Sequence, residues 1–254
     1  MEWNSLMRRG RREAGGAWAI AKKDMRIYYF KPPVLMFGVL TPVFMFLSFM
    51  VRRQFVASNL IPGLTAMVLF FAASSVTSAV IPWERGQQTF ERLLMAPVSV
   101  FAILWGKTIA GAVFGALVAV VPLLIGAFAF DMGVDRLWLL AVAVIVSTFS
   151  FASLGVLFAS LRRSQLPGDI MMLGNMFRLP IIFVSGVFIP LQELPSWGRV
   201  IAFVSPLTYC NNLMNLSITG TSYLGASLSL LALLLFLVVF LVVGTKLQAL
   251  SKRA

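Results

Sequence analysis

Histidine is absent from the 254 residues, and cysteine occurs once, at Cys210. Without imidazole the commonest general base and metal ligand are missing, so triad hydrolysis, haem ligation by histidine and zinc-protease chemistry lose their usual parts. A single thiol excludes an internal disulfide and leaves no thiolate cluster for a metal. Charged residues make up only 12% of the chain, where soluble proteins average about 25%. Acids are scarcest, at nine. Asp131, Asp135 and Glu193 fall outside the apolar runs, so no buried acid is evident and a proton-driven carrier is disfavoured. No catalytic residue and no metal site are assigned, and the chain is not expected to be an enzyme.

What is present is apolar surface: 59% hydrophobic residues and a mean hydropathy of +0.91. Apolar runs near 20 residues recur along the whole length, the span needed to cross a hydrocarbon layer about 30 Å thick. The chain therefore reads as a single all-α integral membrane domain over residues 1–254 with the bilayer as solvent. Its net charge of +12 invites a nucleic-acid reading. The 21 Lys and Arg sit mainly in tails and connections, however, with no basic stripe interleaved with aromatics, so nucleic acid is not expected as a partner.

Six spans are expected, at 33–51, 60–83, 108–130, 137–161, 170–189 and 224–243. Residues 1–32 form a cytoplasmic tail and an amphipathic interfacial helix, with Trp18, Ala21, Met25, Tyr28 and Tyr29 roughly on one face and Lys22, Lys23 and Arg26 on another. Pro32 and Pro33 end that helix. Residues 84–99 (ERGQQTFERLLMAPVS) are too polar for lipid, and within them Thr89 to Met95 can form a short amphipathic helix that Pro97 stops. Residues 190–223 are too broken by proline for a span and too apolar for a plain loop, and read as short helices re-entering the membrane from the outer side. Basic residues set the orientation. With both termini inside, sixteen fall on the cytoplasmic side and four outside, with Arg178 inside a span, so N-in and C-in in the inner or plasma membrane is expected. No small-residue cleavage site follows a short apolar core, which disfavours a cleaved signal peptide.

The strings ERGQQTFERLLMAPVS and FVSGVFIPLQELPSWGRVIAFVSPLTY, and the order of elements around them, resemble the ABC transporter permeases of type-2 exporter architecture over nearly the whole chain. The resemblance implies a six-span half-transporter that dimerises with a second copy of itself or a homologous permease and binds two copies of an ATPase subunit. By the same resemblance, the 84–99 segment is a cytoplasmic coupling helix, and Glu84, Arg85, Phe90, Glu91, Arg92, Leu93 and Leu94 are ATPase contacts. Lys22, Lys23 and Arg26 would brace that subunit, or hold anionic lipid headgroups. ATP and magnesium would bind the partner ATPase and no cofactor this chain. Gly106, Lys107 and Thr108 do give the GK[ST] end of a phosphate loop, but Phe101 stands where its first glycine is required.

Within the spans, Arg178 lies about 12 Å into the fifth, where it contacts an anionic part of a substrate, forms a gate between subunits, or snorkels to the headgroups. Asn175 shares its face. Ser74, Ser75, Thr77 and Ser78 enrich the second span in hydroxyls; Ser74 and Ser78 join Asn175 and Arg178 as candidate pathway residues, although such hydroxyls also bond backbone carbonyls. Gly111 and Gly115 form a GxxxG pair for close helix packing. Abundant Phe and Met suit an adaptable path for hydrophobic or amphiphilic cargo. The cargo expected by resemblance is drug-like or lipid-like, with a lipid-linked glycan or polysaccharide as the alternative. Rivals of another class are a membrane scaffold and a lipid-acting membrane enzyme.

Overall fold

The computed structural model describes residues 2–29, 40–41, 43–44, 57–131, 133–161 and 166–253, and every regular element among them is a helix. Helix α1 covers Glu2–Asp24 and runs into a wider π turn at Met25–Tyr29. It is followed by α2 (Ala57–Gly86), α3 (Thr89–Leu94), α4 (Val100–Ala129), α5 (Leu137–Leu161), α6 (Pro167–Val184), α7 (Ser196–Val204), α8 (Pro206–Ile218) and α9 (Ala226–Arg253). The expected first span falls outside the described residues apart from 40–41 and 43–44.

Among the described residues, four helices are long and apolar enough to cross a membrane: α2, α4, α5 and α9. Each contributes an apolar stretch of 25 to 29 residues, which at 1.5 Å per residue exceeds the hydrocarbon thickness. Helix α6 has 18 residues, includes Asp169, Asn175, Arg178 and Pro180, and is not among the four. Its start is set by Pro167 in the first turn and its end by Gly186, whose φ of 83° turns the chain away. Helix α4 begins eight residues before the expected span, capped by the Ser99 hydroxyl, which accepts from the Ala102 N–H at 3.1 Å. Lys107 therefore lies inside a helix and not at its mouth.

Helix α2 is the centre of the bundle, enclosed by α4, α5, α6 and α8. Small residues let the helices approach. A Cβ on Gly115 of α4 would stand 2.9 Å from the Ala73 Cβ of α2, Gly111 is pressed against Thr77 and Ala152, and Gly155 of α5 lies directly on the Ser74 carbonyl. Thr65, Ser74, Thr77 and Ser78 each donate a hydrogen bond to a carbonyl three or four residues back, so these hydroxyls do not stand orphaned in the apolar core.

Helix α1 lies along the near end of α4. A Cβ on Gly106 would sit 2.5 Å from the Ala17 carbonyl, and the Glu13 carboxylate accepts from the Ser99 N–H at 3.1 Å and from the Ser99 hydroxyl. Its Ala17, Ile20 and Ala21 are buried while Trp18 is exposed, so the aromatic stripe read along one face divides between core and surface. At the far end of the bundle the 190–223 region contains α7 and α8, and α8 is almost wholly buried. Asn212 of α8 ties down the chain entering α9: its Oδ1 accepts from the N–H groups of Tyr223 and Leu224 and its Nδ2 donates to the Leu224 carbonyl and Ser229 Oγ.

Candidate functional site

Two polar constructions stand out against the apolar bundle. The first is a cluster of four charges where α1, α2 and α4 meet. The Lys107 ammonium lies 2.6 Å from Glu84 Oε2 and 3.1 Å from Asp24 Oδ2, while Lys23 pairs with Asp24 Oδ1 at 2.9 Å and with Glu84 Oε1. The Asp24, Glu84 and Lys107 side chains are shut off from solvent, and Lys23 is half-buried. Two ammonium groups facing two carboxylates make the cluster neutral, which is the condition under which buried charge is tolerable. Burial by itself would lower the Lys23 pKa, but the Asp24 and Glu84 carboxylates outweigh it and hold that ammonium above its ordinary range. Lys23 therefore contributes its stabilisation up to alkaline pH and loses it only as pH rises through that raised value.

This cluster corrects the expectation of no buried acid: Asp24 and Glu84 are both buried, each committed to two ammonium groups. It also gives the Lys of the GK[ST] string a structural place. Asp24 and Lys107 escaped sequence reasoning, although a lone acid closing a basic helix and a lysine flanked by apolar residues are legible signals. The end of α1 is fixed further by Tyr28 stacked on Trp83 at 5.9 Å and by the Tyr29 hydroxyl 3.1 Å from Thr77 Oγ1.

The short helix α3 hangs from this clamp. After Glu84, the Arg85 guanidinium donates to Gln248 Oε1 of α9 at 2.9 Å and lies over the Phe90 ring at 5.3 Å. Gln88 takes a left-handed conformation to start α3, and Phe90 turns inward and is buried. Glu91, Arg92 and Met95 face outward, Met95 at 78% exposure, and Leu93 and Leu94 are half-buried. Of the seven residues assigned to contact a partner, the structure thus places Glu84, Arg85 and Phe90 as anchors of the segment and leaves Glu91 and Arg92 free to meet another surface. Lys22 on α1 and Arg26 in the π turn after it are exposed, while Lys23 belongs to the clamp.

The second construction brings together the four candidate pathway residues. Arg178 is fully buried and does not snorkel. Its Nε donates to Ser74 Oγ at 3.0 Å, its Nη2 to the Ser74 carbonyl at 3.0 Å and to Ser78 Oγ at 3.3 Å, and its Nη1 to Asn175 Oδ1 at 3.2 Å. The Phe158 ring covers the guanidinium at 5.3 Å. The hydroxyls of α2 therefore serve twice, donating to their own helix and accepting from Arg178. Among the described residues no group of three or more metal-ligating side chains comes together.

The sequence profile of the ABC-2 type transporter family matches residues 16–219, a stretch that contains both constructions. The chain is 27% identical over 150 residues to the probable multidrug ABC transporter permease YbhR of Escherichia coli K12, a match covering 59% of this chain and 40% of that protein. It is 28% identical over 156 residues to ABC transporter G family member 20 of Dictyostelium discoideum, covering 61% of this chain and 21% of that one. Against the putative transport permease ycf38 of Cyanophora paradoxa it is 28% identical over 197 residues, covering 70% and 66%. The chain thus spans less than half of YbhR. With a family match over most of its length and, among the described residues, four helices fit to cross a bilayer, this chain is a multi-pass membrane protein of the ABC-2 type transporter family.

Proposed function

We propose that the chain is the permease half of an ATP-driven exporter that moves a hydrophobic or amphiphilic molecule out of the cytoplasm by alternating access. Two permeases, either identical or homologous, pair in the inner or plasma membrane with both termini cytoplasmic, and each receives an ATPase subunit at α3. ATP and magnesium are handled by that subunit. The observation that carries this reading is the construction of α3: one face is anchored through Phe90 and the Arg85–Gln248 bond, and the other presents Glu91, Arg92 and Met95 to solvent. An apolar residue ringed by charges of both signs suits a groove on a partner, with the charges fixing register. The clamp beside it joins α1, α2 and α4, so a push on α3 reaches three elements at once. The printed name of YbhR, a multidrug permease, supports a drug-like cargo. The 190–223 helices are read as re-entrant from the outer side, and α6 as the fifth of six spans.

Co-purification tests the reading. Tagged chain extracted from its native membrane is expected to bring an ATPase subunit with it, and Glu91→Lys combined with Met95→Asp is expected to lose that subunit at least tenfold while the permease still elutes as a single species. Both positions are exposed, so the fold is spared. Retention of the ATPase by the double variant contradicts the α3 assignment, and failure to recover any ATPase with the unaltered chain contradicts the energy source.

A further inference from the structure

We propose that Arg178 is the anchor of an anion-binding site inside the membrane domain, one that takes the carboxylate, phosphate or sulfonate of an amphiphile whose tail lies along α6. This rests on the permease reading and names its substrate class.

The inference starts from a charge that the chain does not balance. All the partners of the Arg178 guanidinium are neutral: two serine hydroxyls, a carbonyl, an amide oxygen and an aromatic face. They occupy four of its five N–H groups, and the fifth, on Nη1 beside Asn175, has no partner among the described residues. The sequence holds nine carboxylates that could neutralise it. Asp24 and Glu84 are spent in the clamp. Glu2 and Glu13 lie on α1, Glu91 on α3, Asp131 and Asp135 in the turn between α4 and α5, and Glu193 in the turn after α6. Asp169 is on α6 itself, but nine residues away, about 13 Å along the axis. Residues 30–56 and 162–165 contain no acid at all. The buried positive charge is thus left for a group that is not part of the protein.

The local construction fits such a guest. Gly174 lets the guanidinium fold back against its own helix with Nη1 turned toward Asn175, since a Cβ there would stand 2.6 Å from Nη1 and 2.9 Å from Cζ. Asn175, half-buried, forms the edge of the cluster on the side of the uncommitted N–H. Beyond that edge α6 exposes Met172, Met176 and Phe177 at 78%, 74% and 51%, flexible apolar side chains beside a cation, which is the arrangement that an anionic head with an apolar tail complements.

A matched pair of probes tests this: 1-anilinonaphthalene-8-sulfonate and N-phenyl-1-naphthylamine, which share the aromatic body and differ by the sulfonate. Binding is measured to the full chain with its co-purifying ATPase in phosphatidylcholine nanodiscs, after subtracting empty discs. The unaltered protein is expected to prefer the sulfonate by at least about tenfold. Arg178→Gln should abolish the preference while leaving the neutral probe unchanged, and Arg178→Lys should retain part of it. Asn175→Asp supplies an internal counter-charge next to Nη1, so it should abolish the preference in a well-folded protein, an effect that a purely structural arginine does not produce. Adding phosphatidylglycerol separates two sources of the anion: competition with the sulfonate in the unaltered protein alone assigns the site to a lipid headgroup, and no competition assigns it to a free amphiphile. Equal affinity for the two probes in the unaltered protein, or a preference that survives both Arg178→Gln and Asn175→Asp, overturns the proposal. If that happens while the ATPase still co-purifies, the permease reading stands; loss of the ATPase from the unaltered chain counts against the permease reading instead.

Discussion

Replacing Lys107 by methionine is expected to destabilise the chain by about 3–5 kcal/mol, the cost of removing one partner from a buried ion cluster. Lys107 is fully enclosed and is the cation shared by Asp24 and Glu84, at 3.1 and 2.6 Å. Without it two carboxylates face one half-buried lysine, and the surplus negative charge can neither reach water nor pair with another cation among the described residues. In thermal unfolding of detergent-solubilised protein the loss should appear as a midpoint lower by roughly 10 °C. The diagnostic step is the second substitution. Adding Glu84→Gln to Lys107→Met removes the surplus charge and leaves the neutral pair Lys23–Asp24, so the double variant should recover most of the lost stability, a coupling that independent sites do not show. A Lys107→Met midpoint equal to that of the unaltered chain contradicts the clamp, and so does a double variant that is additive.

The second large effect is steric. Gly155→Ala adds a Cβ that overlaps the Ser74 carbonyl, a backbone atom of the central helix that cannot rotate aside and that already accepts from Arg178. Relief requires α5 to move off α2, at a cost of about 1–3 kcal/mol, the range measured for overpacked cores. Gly15→Ala on α1 is the internal control, because its Cβ would meet nothing within 4 Å and replaces a helical glycine. It should be neutral or stabilising by up to about 1 kcal/mol. Comparable unfolding midpoints for the two variants would show that the α2–α5 contact is looser than described.

Helix α5 illustrates what a sequence makes legible. Its observed bounds, Leu137–Leu161, coincide with the expected span because an unbroken apolar run is bracketed there by Arg136 and Arg162. Helix α4 illustrates the reverse. A lysine inside an apolar stretch reads as an end when its counter-charges are 83 and 23 residues away, and only the fold brings Asp24 and Glu84 to it. Helix α9 runs to Arg253, ten residues beyond the expected span, because its polar end is held by Gln248 against Arg85, again a partner distant in sequence. Arg178, Asn175, Ser74 and Ser78 could each be singled out as polar groups in apolar surroundings. Their convergence could not, since α6 and α2 meet across about a hundred residues of chain. The outward half of α3 was readable from its pattern of charges, but which of its neighbours anchor it depends on contacts with α9 that no local pattern encodes.

The central claim, that α3 is where an ATPase subunit drives this permease, is tested most directly by site-specific crosslinking. The native Cys210 is buried in α8, so Glu91→Cys provides the accessible thiol for a photoactivatable reagent in native membranes. The expected product is an adduct joining this chain to an ATPase subunit, with a yield that changes when ATP is trapped on that subunit. An adduct formed only with lipid or with a second copy of the chain, in membranes that contain the ATPase, contradicts it.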